Sequence, residues 1–172
     1  MQGSGIAPTA LVIGGSGFIG TALTATLERR GFIVSAPSRR AFDLLNPHKL
    51  KPDPTVIFIC GAISKFIECE RNPLSYRINV DGPLKVAELH TASAIVYLSS
   101  EAVEQALHTA YGMQKALAEI SLQPFDTRIV RLSKVTPETL FDCCDAIASL
   151  ADEDRGLYHW NGNEPGLLDT ED

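Results

Sequence analysis

The chain has 172 residues, 45% of them hydrophobic and 21% charged, and a formal net charge of -6. That length carries one domain with a real core and is too short for two. The acidic balance argues against nucleic acid as a main partner, no stretch approaches the ~18 apolar residues of a membrane span, and MQGSGIAPTA lacks the regions of a secretory signal, so a cytoplasmic protein with no membrane and no nucleic-acid partner is expected.

The first strand-like run is ALVIG (10–14), and it enters GGSGFIG. Gly14, Gly17 and Gly20 are spaced as a dinucleotide loop between a strand and a helix over 18–30. Gly14 permits the tight turn, Gly17 lets backbone approach a pyrophosphate, and Gly20 lets helix and strand pack closely. The helix start, at Phe18 and Ile19, offers free N–H groups to the anion. Glycines that serve only the turn are the plainer alternative. Gly31 sits where this helix would stop.

The next run, FIVSA (32–36), leads into PSRRAFD. No acid ends this strand to take a ribose 2′-hydroxyl, as NAD sites use. Ser38, Arg39 and Arg40 can instead hold a 2′-phosphate, so NADP is expected as cofactor, with NAD as the alternative. A solvated turn would account for the same arginines.

KPDPT (51–55) is a turn that launches TVIFIC (55–60). Glu68, Glu70 and Arg71 read as a solvated helix face. Pro73 opens a helical stretch over 73–91. AIVYLS (94–99) delivers Ser100 to a strand end, and a helical stretch covers 103–122. On it Tyr111 and Lys115 are i and i+4 and share a face. A nearby ammonium is expected to favour the phenolate of Tyr111 and lower its pKa. Such a tyrosine can trade a proton with a substrate oxygen while Ser100 hydrogen-bonds that oxygen. Only ten residues separate Ser100 from Tyr111.

TRIVRL (127–132), a helical stretch over 138–151 and a weaker strand GLYHW (156–160) complete the pattern. Trp160 reads as core or an edge-strand contact. The acidic, turn-rich tail NGNEPGLLDTED is expected to fray. Continuous apolar strands alternating with helices indicate an α/β, doubly wound parallel sheet, the Rossmann fold. Cys60, Cys69, Cys143 and Cys144 have no CxxC spacing and read as reduced thiols. His48, His90, His108 and His159 are scattered and read as surface or packing residues, so no metal is expected.

The chain resembles the extended short-chain dehydrogenase/reductases, and within them the dTDP-4-dehydrorhamnose reductase-like sugar-nucleotide enzymes. The matching stretches are GGSGFIG, AFDLLNP, VIFICGAIS, ECERNPLSYRINVDGP, IVYLSS, YGMQKALAE, TRIVRLSKV and RGLYHWNG, from about residue 10 to 162. The resemblance implies an NAD(P)-dependent oxidoreductase or epimerase acting on a nucleotide sugar or related carbonyl. It implies a catalytic set of Ser100, Tyr111 and Lys115, with Lys115 also on the nicotinamide ribose. Asp43 and Leu44 would flank the adenine. Cys60, Gly61 and Ala62 would line the cofactor. Asn79 would brace the active-site strands, and Leu132 and Ser133 would approach the nicotinamide. A homodimer through the helices at Pro73 and Tyr111 is the assembly such enzymes often use.

Two departures accompany the resemblance. The loop between Ser100 and Tyr111 is shorter than in the family. After VRLSKV, TPETLFDCCDAIASL follows at once, with no substrate-binding insertion. The expected organisation is therefore a cofactor-binding domain over 1–135 and a much reduced C-terminal substrate portion over 136–172. A non-catalytic NAD(P)-binding sensor or regulatory subunit of the same fold is the alternative function.

Overall fold

A computed structural model describes residues 6–162 and the short strand 166–167. The expected fraying of the tail lies largely outside the described residues. Six strands run parallel: β1 (Thr9–Ile13), β2 (Ile33–Ser35), β3 (Val56–Ile59), β4 (Ala94–Ser100), β5 (Thr127–Leu132) and β6 (Gly156–Trp160). β7 (Gly166–Leu167) adds antiparallel to β6. The order is β2-β1-β3-β4-β5-β6-β7. The chain leaves β1 toward one edge and returns to its other side as β3. That reversal is a topological switch point, where open parallel sheets leave a crevice above their carboxyl ends.

The strands form because their apolar runs can be buried on both faces. Alternate residues divide them. Ala10, Val12, Phe58, Val96 and Val130 face one layer, capped by α1 (Phe18–Arg29) and α6 (Leu140–Ser149). Leu11, Ile13, Ile57, Ile95 and Ile129 face the other, where α3 (Gly82–Leu89) and α5 (Ala110–Leu122) lie. Cys143, Cys144 and Ile147 bring α6 into the first layer, beside the fully buried Trp160. The segment after Val135 thus completes both the sheet and its cover.

Helix ends follow local chemistry. Gly31 takes φ 87°, its N–H donates to Glu28 O, and Phe32 N–H reaches back to Leu27 O. This is a Schellman stop. Two expected helices are subdivided. The 73–91 stretch starts as a widened π turn over Arg77–Asp81 before α3, and a separate α2 (Phe66–Arg71) precedes it. The π turn sends three consecutive residues, Ile78, Asn79 and Val80, inward. The 103–122 stretch splits into α4 (Ala102–Gln105) and α5. The Thr109 hydroxyl accepts Gly112 N–H at 3.1 Å and restarts the helix. At Gly112 a Cβ would lie 2.2 Å from Ala106 O, so only glycine lets the two pieces meet this closely.

Trp160 sits in the layer that joins β6 to α6, and truncating it leaves a large void. Trp160→Ala is expected to cost about 3–5 kcal/mol, read as a fall in the urea midpoint followed by far-ultraviolet circular dichroism.

Candidate active site

The glycine turn is built by backbone contact. Gly14 takes φ 84°, and a Cβ on it would fall 2.6 Å from Gly61 N. Ile13 O accepts both Cys60 N–H (2.9 Å) and Gly61 N–H (3.0 Å), pinning the loop after β3 to the loop after β1. A Cβ at Gly20 would lie 2.1 Å from Gly14 O. The loop and the start of α1 can therefore coexist only without side chains at these positions.

Two cavities open along these strand ends. The larger holds about 690 Å³ and is walled by Gly14, Gly17, Gly20 and the start of α1 on one side. Ser100, Tyr111 and Lys115 line the other side, and Cys60, Ala62 and Leu132 lie between. Its size is that of a site for a sizeable ligand. The second, about 200 Å³, shares Gly14 and Ala62 with the first, and is also lined by Arg39, Asp43, Leu44 and Gly61.

Three expected cofactor residues stand elsewhere. Ser38 and Arg40 are exposed and line neither cavity. The Ser38 carbonyl accepts Ala41 and Phe42 N–H groups and closes a turn. Arg39, between them, does reach the second cavity, with Nε 3.8 Å from Asp43 Oδ1. Asn79 also lines neither cavity, because its side chain is fully used as a brace. Its Oδ1 accepts Ile63 N–H (2.9 Å), and its Nδ2 donates to Ile63 O (2.9 Å) and Gln114 Oε1 (2.8 Å). It ties the loop after β3 to α5.

β4 outruns β3. Their pairing ends at Ile59 with Tyr97, whereas β4 pairs with β5 as far as Ser100 with Leu132. Leu98, Ser99 and Ser100 therefore project past β3 into the cavity wall. Lys115 is 4% exposed, and its Nζ donates to Leu98 O (2.7 Å) and Tyr97 Oη (3.2 Å). Nζ also lies over the Tyr97 ring at 4.7 Å and the Tyr111 ring at 5.9 Å. Burial brings its pKa down to about 8, while Glu119, Cys60 and Cys69 pull upward.

Tyr111 departs from expectation. Burial pushes its hydroxyl up, and the Ser100 hydroxyl beside it pulls the other way. The Lys115 ammonium is turned toward Leu98 and Tyr97, so desolvation wins over any favouring of the phenolate. A tyrosine held neutral is the form that gives a proton away. Phe66 covers it edge-on at 5.4 Å. Glu70, read from sequence as solvated, accepts Ala110 N–H at 2.8 Å and so holds the first turn of the tyrosine helix. The thiol of Cys60 is pushed up to about 12 by burial, which leaves it an unreactive wall group.

The wall thus brings a neutral tyrosine, a strand-end serine and a buried lysine to the side of the cavity opposite the glycine loop. The model of a family described as the RmlD substrate binding domain matches residues 9–155. The chain belongs to this family, among the extended short-chain dehydrogenase/reductases. A dTDP-4-dehydrorhamnose reductase of Streptomyces griseus is 33% identical over 97 residues, 53% of this chain and 32% of that protein. The RmlD-family chain thus matches about a third of that relative's length. Among solved structures, the dTDP-4-dehydrorhamnose reductase of Bacillus anthracis in complex with NADP superposes with a TM-score of 0.82 at 18% identity, over 95% of this chain and 78% of that one. RMD of Pseudomonas aeruginosa complexed with NADPH gives 0.71 at 18% identity, over 94% and 78%. WbmG of Bordetella bronchiseptica in complex with NAD gives 0.69 at 16%, over 97% and 76%. At these identities the likeness is one of fold.

Sequence reasoning missed the supports of the RmlD-family site. Tyr97 was visible only as part of the apolar run AIVYLS, and Phe66 lies outside every motif read from the sequence. Glu119 was legible in principle, since Tyr111, Lys115 and Glu119 recur every four residues on one helix face. Among the described residues no group of three or more His, Cys, Asp or Glu side chains could hold a metal, and no helix is long and apolar enough to cross a membrane.

Lys115 charges with a pKa near 8 in the folded chain and near 10.5 when unfolded. Its burial therefore costs stability in full below pH 8, and the cost is relieved as pH rises from 8 toward 10.5. Lys115→Met also forfeits the bonds to Leu98 and Tyr97, which offsets part of the gain. The variant is expected to be more stable than the parent by roughly 1–2 kcal/mol at neutral pH. Urea titrations across the pH range should show this advantage shrinking above pH 8.

Proposed function

We propose that the chain is an NADP(H)-dependent reductase of the short-chain type, acting on the carbonyl of a nucleotide sugar or a related compound, with NAD as the alternative cofactor. The observation that carries this reading is that Ser100, Tyr111 and Lys115 line the same cavity as the loop of Gly14, Gly17 and Gly20. The reductase activity of the relatives and the NADP, NADPH and NAD in their complexes support it.

The cofactor would supply or take a hydride at its nicotinamide. The residues here do the rest. The α1 start and the glycine loop receive the pyrophosphate, and the second cavity, with Asp43 and Leu44, takes the adenosine. Arg39 on its rim supports a 2′-phosphate by charge. Lys115 has three N–H donors, two of them given to Leu98 O and Tyr97 Oη, and the third suits a ribose hydroxyl. Ser100 donates to the substrate carbonyl oxygen, and Tyr111 Oη gives it a proton. Residues 1–135 would thus hold the cofactor. The reduced portion over 136–172 would leave the substrate to the cavity rim, where Ser133, Lys134 and Val135 lie. Exposed Met113 and Ile120 on α5, with Leu74 and Tyr76, support a homodimer through this side.

Calorimetric titration tests the cofactor first. NADPH is expected to bind roughly tenfold or more tightly than NADH, a preference that Arg39→Ala erases. With a nucleotide sugar that turns over, Tyr111→Phe should lose about 10²–10⁴-fold in kcat and keep its NADPH affinity. NADPH binding without turnover of any carbonyl would instead mark a regulatory subunit, and no dinucleotide binding would end the proposal.

A further inference from the structure

We propose that Glu119 is a positioning residue for Lys115: its carboxylate, clamped by Arg131 and Ser99, locks the tyrosine helix to two strands and supplies the negative field that keeps the lysine an ammonium. This rests on the reading of Tyr111 as the proton donor, with Lys115 holding the cofactor ribose beside it.

The geometry is that of a closed clamp. Glu119 is 6% exposed, one turn beyond Lys115 on α5. Its Oε1 accepts the Ser99 hydroxyl of β4 at 2.5 Å and Arg131 Nε of β5 at 3.0 Å. Its Oε2 accepts Arg131 Nη2 at 2.7 Å. One carboxylate thereby joins α5 to both strands that carry the cavity wall. A bidentate pair fixes orientation as well as distance. Arg131 passes its remaining Nη1 to Glu104 of α4 at 2.5 Å, so the short helix between Ser100 and Tyr111 is bound into the same chain of contacts. Ser99 is the neighbour of Ser100, which places the clamp directly behind the strand-end hydroxyl.

The electrostatics are traceable group by group. Lys115 faces Tyr97 from β4, Tyr111 and Glu119 from its own helix, Cys60 from the loop after β3 and Cys69 from α2. Both tyrosines and both thiols are held neutral by burial, which leaves Glu119 as the formal anion among them. Glu119 in turn faces Arg131, Ser99 and Tyr97, and His159 is the register partner of Arg131 on β6. Lys115 and Glu119 make no direct ion pair, because Nζ is engaged by Leu98 O and Tyr97 Oη. The carboxylate acts through space while the clamp holds the distance.

Nuclear magnetic resonance of lysine labelled with ¹³C at Cε tests this without substrate or cofactor, the Lys115 signal being the one lost in Lys115→Met. Glu119→Gln keeps the shape and a hydrogen-bond acceptor, and Arg131 retains Glu104, so no cation is stranded. The Lys115 titration midpoint is expected to fall by about one pH unit. In Arg131→Gln it should rise, because the carboxylate loses its offsetting cation. Mere loosening of α5 would let water reach Lys115 and raise the midpoint in both variants. A rise or no change in Glu119→Gln overturns the proposal. If that variant does not fold, the double exchange Glu119→Gln with Arg131→Gln replaces the ion pair by an amide pair, and its midpoint must lie below that of Arg131→Gln alone. A fall in midpoint with Tyr111→Phe fully active would uphold the clamp and remove its catalytic meaning. Where turnover is established, the alkaline limb of the kcat profile should move with the Lys115 midpoint.

Discussion

An ammonium taken out of water governs the strand ends of this protein. Lys115 is nearly inaccessible, and burying such a charge is costly unless its donors are met. The sheet meets them by ending unevenly: β3 stops beside Tyr97, and β4 runs on for three residues. The Leu98 carbonyl and the Tyr97 hydroxyl then hold Nζ at the floor of the large cavity. Most of the surrounding detail can be traced to this one requirement. Asn79 ties α5 to the loop after β3, Glu70 and Thr109 fix the first turn of α5, and Glu119 fixes its last. The helix is restrained from start to end because the lysine near its middle cannot tolerate being misplaced.

A second constraint acts at the opposite wall. The loops after β1 and β3 touch through backbone alone, at Gly14 and Gly61, with Gly20 packed against Gly14 from α1. Side chains there would separate the two strands at the switch point. The same absence of side chains exposes N–H groups to a bound anion, so packing and binding ask for the same residues.

Much of this was legible in the sequence, and for physical reasons. The strands are read correctly because residues buried on both faces must be apolar in an unbroken run, as in VIFI and AIVYL. The glycine loop is legible because its demand on the backbone is local. What escaped depends on partners far along the chain. The 103–122 stretch carries no proline to announce its interruption, and the break becomes intelligible only once Gly112 is seen against Ala106 and Thr109 is seen as a cap. Tyr111 was expected to be acidified by its lysine neighbour. Helical spacing places the two on one face, but it cannot tell that the ammonium turns to Leu98 and that burial then dominates. Arg39 and Arg40 are adjacent in sequence, yet only one reaches a cavity. Arg131 carries no signal of its own within TRIVRL, because its partners Glu119 and Glu104 lie on other elements.

The chain contains a single tryptophan, and it is Trp160, fully enclosed and in register with Leu132 of the cavity wall. Its indole is therefore shielded from solvent quenchers while lying close beneath the ligand space. Excited-state energy can pass from it to a near-ultraviolet absorber seated in that space, as a reduced nicotinamide would be. The fold thus contains its own optical reporter, one that needs no label and no engineered probe.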